Sequence, residues 1–179
     1  HVTRMANRTF TNDIDGVTEE DYSTEDETAL RELYRSEIRY LDQQLGEFLP
    51  EILDEETTVI FTADHGEHLF EHDGGFGHHA GIWDELVNVP LLIFMPDRKP
   101  TTITRPVSLI DIPSTILDVV NEKPVMSYVG RSVFDDSPRD PIIGEQLTRS
   151  FDSDVYLIYC DDGDERFGYY PADDRLVRL

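Results

Sequence analysis

Five of the chain's six histidines fall between positions 65 and 79: His65, His68, His72, His78 and His79. Asp64 and His65 directly follow the β-branched, almost continuously apolar run Thr57-Thr58-Val59-Ile60-Phe61-Thr62-Ala63, and Gly66 comes next. An apolar strand of this kind delivers whatever ends it to one point, and ligands of open α/β sheets bind beyond the carboxyl ends of strands. Asp64 offers a hard anionic oxygen and His65 a neutral imidazole nitrogen, a common donor mix for a divalent ion. Gly66 permits a sharp backbone turn. An Asp-His-Gly tripeptide alone can also simply end a strand; the neighbouring histidines are what favour a metal site.

The other candidates are weaker on their residues alone. His68-Leu69-Phe70-Glu71-His72 spells H-x-x-E-H, a pattern that binds zinc only on a sustained helix. Gly66 and Asp73-Gly74-Gly75 bracket it too tightly for that, so His68 and His72 are expected in a partly exposed loop or short helical turn. Gly77 gives a bend that could return His78 towards Asp64, where an imidazole could stabilise or protonate a leaving oxygen. A loop histidine paired with one of the many acids is the simpler account of His78. Cys160 lies in the apolar run Val155–Cys160 and reads as a buried strand thiol. As the sole cysteine it makes no internal disulfide and leaves the compartment open, with the cytoplasm slightly favoured.

The elements that must position these residues follow from periodicity. Residues 1–23 read as an acidic connecting loop, part of a stretch in which Asp13 to Glu27 holds eight acids. Thr24-Glu25-Asp26-Glu27 fits a capping box, and apolar residues at Leu30, Leu33, Tyr34, Ile38, Leu41, Leu45, Phe48, Leu49 and Ile52 predict a helix packed on one face. Pro50 should kink it or start a separate last turn. Residues 57–63 and 90–95 predict two strands covered on both faces. A helix follows over Asp111–Asn121, with Asp111 as N-cap and Pro113 in its first turn. Asp154–Cys160 and Arg166–Tyr170, joined by Asp161-Asp162-Gly163-Asp164-Glu165, predict a hairpin, and Arg175–Leu179 a third strand. The order implies an α/β sheet followed by a small antiparallel unit.

Composition narrows the partners. The 179 residues carry 38 acids against 15 bases, a formal charge of −23, which excludes nucleic acid as a natural partner. Two lysines, Lys99 and Lys123, stand beside 13 arginines. The acids run through the whole chain, so adaptation to high salt explains them better than an acidic interaction tail. No stretch approaches the ~20 apolar residues of a membrane span, and no signal peptide is visible. A chain opening on His1 reads as a fragment or a processed product, so nothing follows about export.

The ordered set Thr62-Ala63-Asp64-His65-Gly66-Glu67, Glu71-His72, Phe76-Gly77-His78, Trp83-Asp84-Glu85 and Val89-Pro90-Leu91-Leu92-Ile93 resembles the sulfatase family of the alkaline-phosphatase superfamily. Tyr34–Asp42, Val107–Ile112 and Thr115–Asp118 are similar to the helices around the metal strand, and the likeness spans roughly residues 30–135. The resemblance implies an alkaline-phosphatase-like, mostly parallel sheet flanked by helices, over residues 24–140, with a small antiparallel unit over 141–179. It implies Asp64 and His65 as ligands of a divalent ion, manganese, zinc or calcium. His78 would contact the sulfate and the ester oxygen, with His79 a second candidate. The implied substrate is a sulfate-ester small molecule or glycan. An imidazole at the second metal position suits manganese or zinc better than calcium. Asp-His there also occurs in phosphodiester and phosphonate hydrolases and phosphoethanolamine transferases of the superfamily, which keeps the ester open. The family's formylglycine nucleophile, made in a C/S-x-P-x-R motif, is absent from this chain and expected upstream. A non-catalytic metal-binding module is the further alternative.

Overall fold

The computed structural model describes residues 22–71, 76–78, 83–123, 128–147 and 155–178. The acidic loop expected over 1–23 lies almost wholly outside these, as do His72 and His79. The chain divides into two compact units: residues 1–79 with 89–98, and residues 80–88 with 99–179.

The first unit opens with helix α1, Thr24–Ile52. Its N-cap is Ser23, one residue before the expected Thr24. The Asp26 N–H donates to Ser23 Oγ at 3.2 Å, and the Ser23 N–H donates to the Asp26 carboxylate at 3.1 Å. The acids Glu25, Asp26 and Glu27 in the first turn suit the positive end of the helix. Pro50 lies inside the helix, which runs on to Ile52. So close to the C-terminus, proline costs a single intrahelical bond. The periodic apolar face is not packed as expected: Leu30 is buried, whereas Ile38, Leu41, Phe48 and Ile52 are exposed.

Strands β1 (Val59–Thr62) and β4 (Leu91–Phe94) form where the two apolar runs predict them. They pair with each other antiparallel, from Val59↔Phe94 to Thr62↔Leu91. The expected parallel arrangement is therefore not what these strands make. Parallel neighbours need a long crossover, usually helical, and among the described residues between them the only helix is α2, Asp84–Val87. Nor are both faces covered: β1 is half-buried along its length, and Leu92 and Phe94 of β4 are 63% and 52% exposed. Between these strands, β2 (His68–Leu69) and β3 (Phe76–Gly77) make a short antiparallel ribbon.

The second unit centres on Asp111, which is fully buried. It closes a 3-10 turn, Leu109–Asp111, ahead of helix α3, Ile112–Val119. Its carboxylate does not cap α3 as expected. Instead it accepts from the N–H groups of Ser108 (2.8 Å) and Arg131 (2.9 Å) and from Arg139 Nη2 (2.7 Å). Burial raises the Asp111 carboxyl; the Arg139 guanidinium and the two backbone donors outweigh it, leaving the group below the ordinary carboxylate range. Thr115 Oγ1 donates to Asp111 O and accepts from the Val133 N–H, while Ser114 Oγ donates to Gly130 O. These bonds bind segment 130–133 to the helix.

The C-terminal sheet has four antiparallel strands in chain order: β5 (Ile142–Leu147), β6 (Val155–Asp161), β7 (Arg166–Tyr170) and β8 (Arg175–Arg178). The predicted hairpin and third strand are present, and β5 is an additional strand. Cys160 is half-buried rather than buried. Tyr159 Oη donates to Asp161 Oδ2 at 3.0 Å; burial, then this carboxylate, push its phenol up to about 12. The fold is thus mixed α/β, with every described strand pairing antiparallel.

Candidate metal and ester site

Asp64 and His65 leave the end of β1 as expected. The Asp64 carboxylate is 89% exposed; its Oδ1 accepts the His65 N–H at 3.0 Å, and its Oδ2 lies 3.7 Å from His65 Nε2. His65 Nδ1 is 2.8 Å from Gly66 O. A carbonyl oxygen only accepts, so Nδ1 carries the proton, and Nε2 is the nitrogen that lies 3.7 Å from the Asp64 carboxylate. An ion bound to oxygen and imidazole at about 2.1 Å from each can bridge atoms up to ~4.2 Å apart. The 3.7 Å between Asp64 Oδ2 and His65 Nε2 lies within that span.

The ribbon decides where His78 goes. His68 pairs with Gly77, and Leu69 with Phe76. Continuing that register by one step sets Glu67 opposite His78. His78 Nδ1 donates to Glu67 Oε2 at 3.2 Å. Gly77 adopts φ 110°, a left-handed conformation that favours glycine, and it turns the chain at this point. The His78 ring then lies 4.2 Å from the His65 ring, centroid to centroid. The bend anticipated at Gly77 therefore brings His78 to His65.

The ribbon is anchored on α1. Arg31 Nη1 pairs with Glu71 at 3.1 Å, and Glu71 also accepts the Leu69 N–H at 2.5 Å. Phe70, at φ 69°, stacks on Phe76 at 5.6 Å with the Arg31 guanidinium over its ring. The same backbone disposes of the H-x-x-E-H reading. His68 and Leu69 are extended and Phe70 is left-handed, so no helix carries the motif. His68 is buried, not partly exposed.

Glu67 is the member of this cluster that sequence reasoning passed over. It stood in the strand-end hexapeptide, yet nothing in its spacing from His78 shows that the two pair. That relation comes from the ribbon register alone. One ligand atom each from His65, Glu67 and His78 lies within 4.8 Å of the others.

The sulfatase family model matches residues 6–122. The chain belongs to the sulfatase family. Among its curated relatives are chicken arylsulfatase K (Gallus gallus), 28% identical over 63% of this chain and 22% of that protein, and the Escherichia coli sulfatase YidJ, 32% identical over 48% and 18%. The ulvan-active sulfatase of Formosa agariphila is 31% identical over 50% of this chain and 19% of its own length. This sulfatase-family chain thus spans about a fifth of the length of these relatives. In fold it is similar to the solved structure of BT4656 in complex with its substrate D-glucosamine-2-N,6-O-disulfate. That likeness has a TM-score of 0.57 at 17% identity, covering 77% of this chain and 30% of the other.

Proposed function

We propose that the complete protein is a metal-dependent sulfuric ester hydrolase, and that this chain is the part lacking its nucleophile. The observation that carries the reading is the convergence of His65 and His78, 4.2 Å apart, with Glu67 orienting His78. Asp64 and His65 are the divalent-metal ligands carried by this chain, and manganese or zinc suits their donors better than calcium. When bound, the metal supplies Lewis-acid polarisation of the sulfate oxygens. Glu67 accepts the Nδ1–H of His78, and in the imidazolium form the second proton, on Nε2, stabilises or is passed to the departing alkoxide as the ester S–O bond breaks. His79 is the adjacent second substrate-binding candidate. The formylglycine nucleophile and the remaining ligands lie upstream, so the chain alone is inactive.

Residues 24–140 are assigned to the catalytic domain and 141–179 to a small C-terminal antiparallel unit. In the complete domain, β1 joins a larger, mostly parallel sheet. The exposed apolar positions of α1 and β4 support this, since such surfaces are stable where more protein covers them. The substrate is a sulfate ester of a small molecule or a glycan; the sulfated sugar of the fold neighbour supports that class.

The test is aryl-sulfate turnover by the full-length protein and its variants. His78→Ala should lower kcat by ~10²–10⁴-fold. His65→Ala should lower turnover and metal content together. Unchanged turnover in both variants refutes the assignment. The imidazole at the second metal position favours one rival, phosphoryl chemistry on the same fold; a phosphodiester hydrolysed faster than a sulfate ester would establish it.

A further inference from the structure

We propose that Arg166, on the C-terminal sheet, is a positioning residue for substrate binding: it anchors helix α2, and with it the segment that follows His78. The consequence for substrate rests on the sulfatase reading; the anchor does not. Helix α2, Asp84–Val87, is a single turn, and an isolated turn does not hold its shape in water. Its N-cap, Trp83, gives it no side-chain hydrogen bond. Contacts outside the helix must therefore hold it. Leu86 supplies one by burial. Arg166, in the same compact unit, supplies another: its Nη1 pairs with Asp84 Oδ1.

An exposed Arg–Asp pair normally contributes little, because both side chains must be ordered to make it. Arg166 is ordered beforehand. Its Nε donates to Asp161 Oδ2 at 3.1 Å, and the same oxygen accepts from Tyr159 Oη at 3.0 Å. The Gly163 N–H donates to Asp161 Oδ1 at 2.8 Å, so the β6–β7 hairpin holds both oxygens of this buried carboxylate. One nitrogen of the planar guanidinium is committed to Asp161, and another reaches Asp84.

Two tethers thus flank residues 79–82, the span that carries His79. Ahead of it Glu67 holds His78, and after it Arg166 holds Asp84. Release of α2 lengthens the run between fixed points from residues 79–82 to residues 79–90, up to the start of β4 at Leu91. Ordering that run against a substrate then becomes about 5-fold less favourable, the 3/2 power of the lengthening. This cost falls on KM, because His78 keeps its own tether to Glu67 and kcat is preserved.

The experiment has two arms. Trp83 is the sole tryptophan of this chain and adjoins Asp84, so its fluorescence reports on α2. Asp84→Ala and Arg166→Gln should each shift Trp83 emission to the red and strengthen its quenching by acrylamide. Arg166→Gln strands the buried Asp161 and can fail to fold. Asp84→Ala leaves the Arg166–Asp161 pair in place, and unchanged emission and quenching in that variant overturn the anchor. In the full-length protein, Asp84→Ala should raise KM for an aryl sulfate about 5-fold with kcat unchanged. An unchanged KM, or a fall in kcat instead, overturns the positioning role. A wild-type protein that turns over no sulfate ester would sink the sulfatase reading and with it the consequence for KM; the Trp83 arm still decides the anchor.

Discussion

At the scale of single residues, a side chain's environment outweighs its type. Asp64 and Asp111 are both aspartates beside an apolar segment, yet one is almost fully exposed and the other has no solvent contact. Asp111 endures burial because every direction around it holds a donor: Ser108 N–H, Arg131 N–H and Arg139. Removing one member of a buried ion pair strands the other charge, which costs about 3–5 kcal/mol. Asp111→Asn should therefore destabilise the chain by about 3 kcal/mol, the lower end, since the Arg139 side chain keeps 18% exposure. Chemical denaturation measures it, and a loss under 1 kcal/mol would contradict this account. The same residue shapes the acid limb. Asp111 is lowered, and Asp135 is lowered to about 2 by hydrogen bonds from Ser137 and Arg131. Groups depressed in the folded state stabilise it above their unfolded pKa, and the benefit is lost as pH falls through the folded value. Stability should hold above pH 3.8 and decline towards pH 2, read by melts across that range. In Asp111→Asn the decline should be shallower.

At the scale of elements, pairing and close approach do what side-chain chemistry alone does not. The ribbon β2–β3 is only two residues long on each side, yet its register joins Glu67 to His78. The Asp111 turn depends on an equally local fact. A Cβ at Gly130 would lie 1.8 Å from the Ile110 carbonyl oxygen. That atom is backbone and cannot swing aside, so Gly130→Ala must displace the segment that Ser114 and Thr115 hold. Overpacking of this kind costs about 1–3 kcal/mol, and a thermal melt should show it. A wild-type melting temperature in Gly130→Ala would mean that the segment relaxes freely. By contrast Gly46, in the middle of α1, has nothing within 4 Å of such a Cβ. Gly46→Ala should stabilise by roughly 0.5–1 kcal/mol through helix propensity.

At the scale of the whole molecule, the charge of −23 sets the conditions under which the chain stays folded. Like charges repel over the Debye length, ~30 Å at 0.01 M salt and ~3 Å at 1 M. Melting temperature should rise on going from 0.01 M to 1 M KCl, and equal values at both would remove the case for salt adaptation. No helix among the described residues is long and apolar enough to cross a membrane. Much of this molecule was legible in the sequence because local signals were strong. The capping acids, the two apolar runs and the turn-separated C-terminal strands each specify an element from neighbouring residues. The end of β1 placed Asp64 and His65 for the same reason. Tertiary structure alone decided the relations between distant residues: the antiparallel partnership of β1 with β4, the opposition of Glu67 and His78, and the burial of Asp111 beneath Arg139. Sequence periodicity records which residues share a face of an element. Only the pairing of elements determines which faces and which residues meet, and at this site that pairing turned scattered histidines and a glutamate into one cluster.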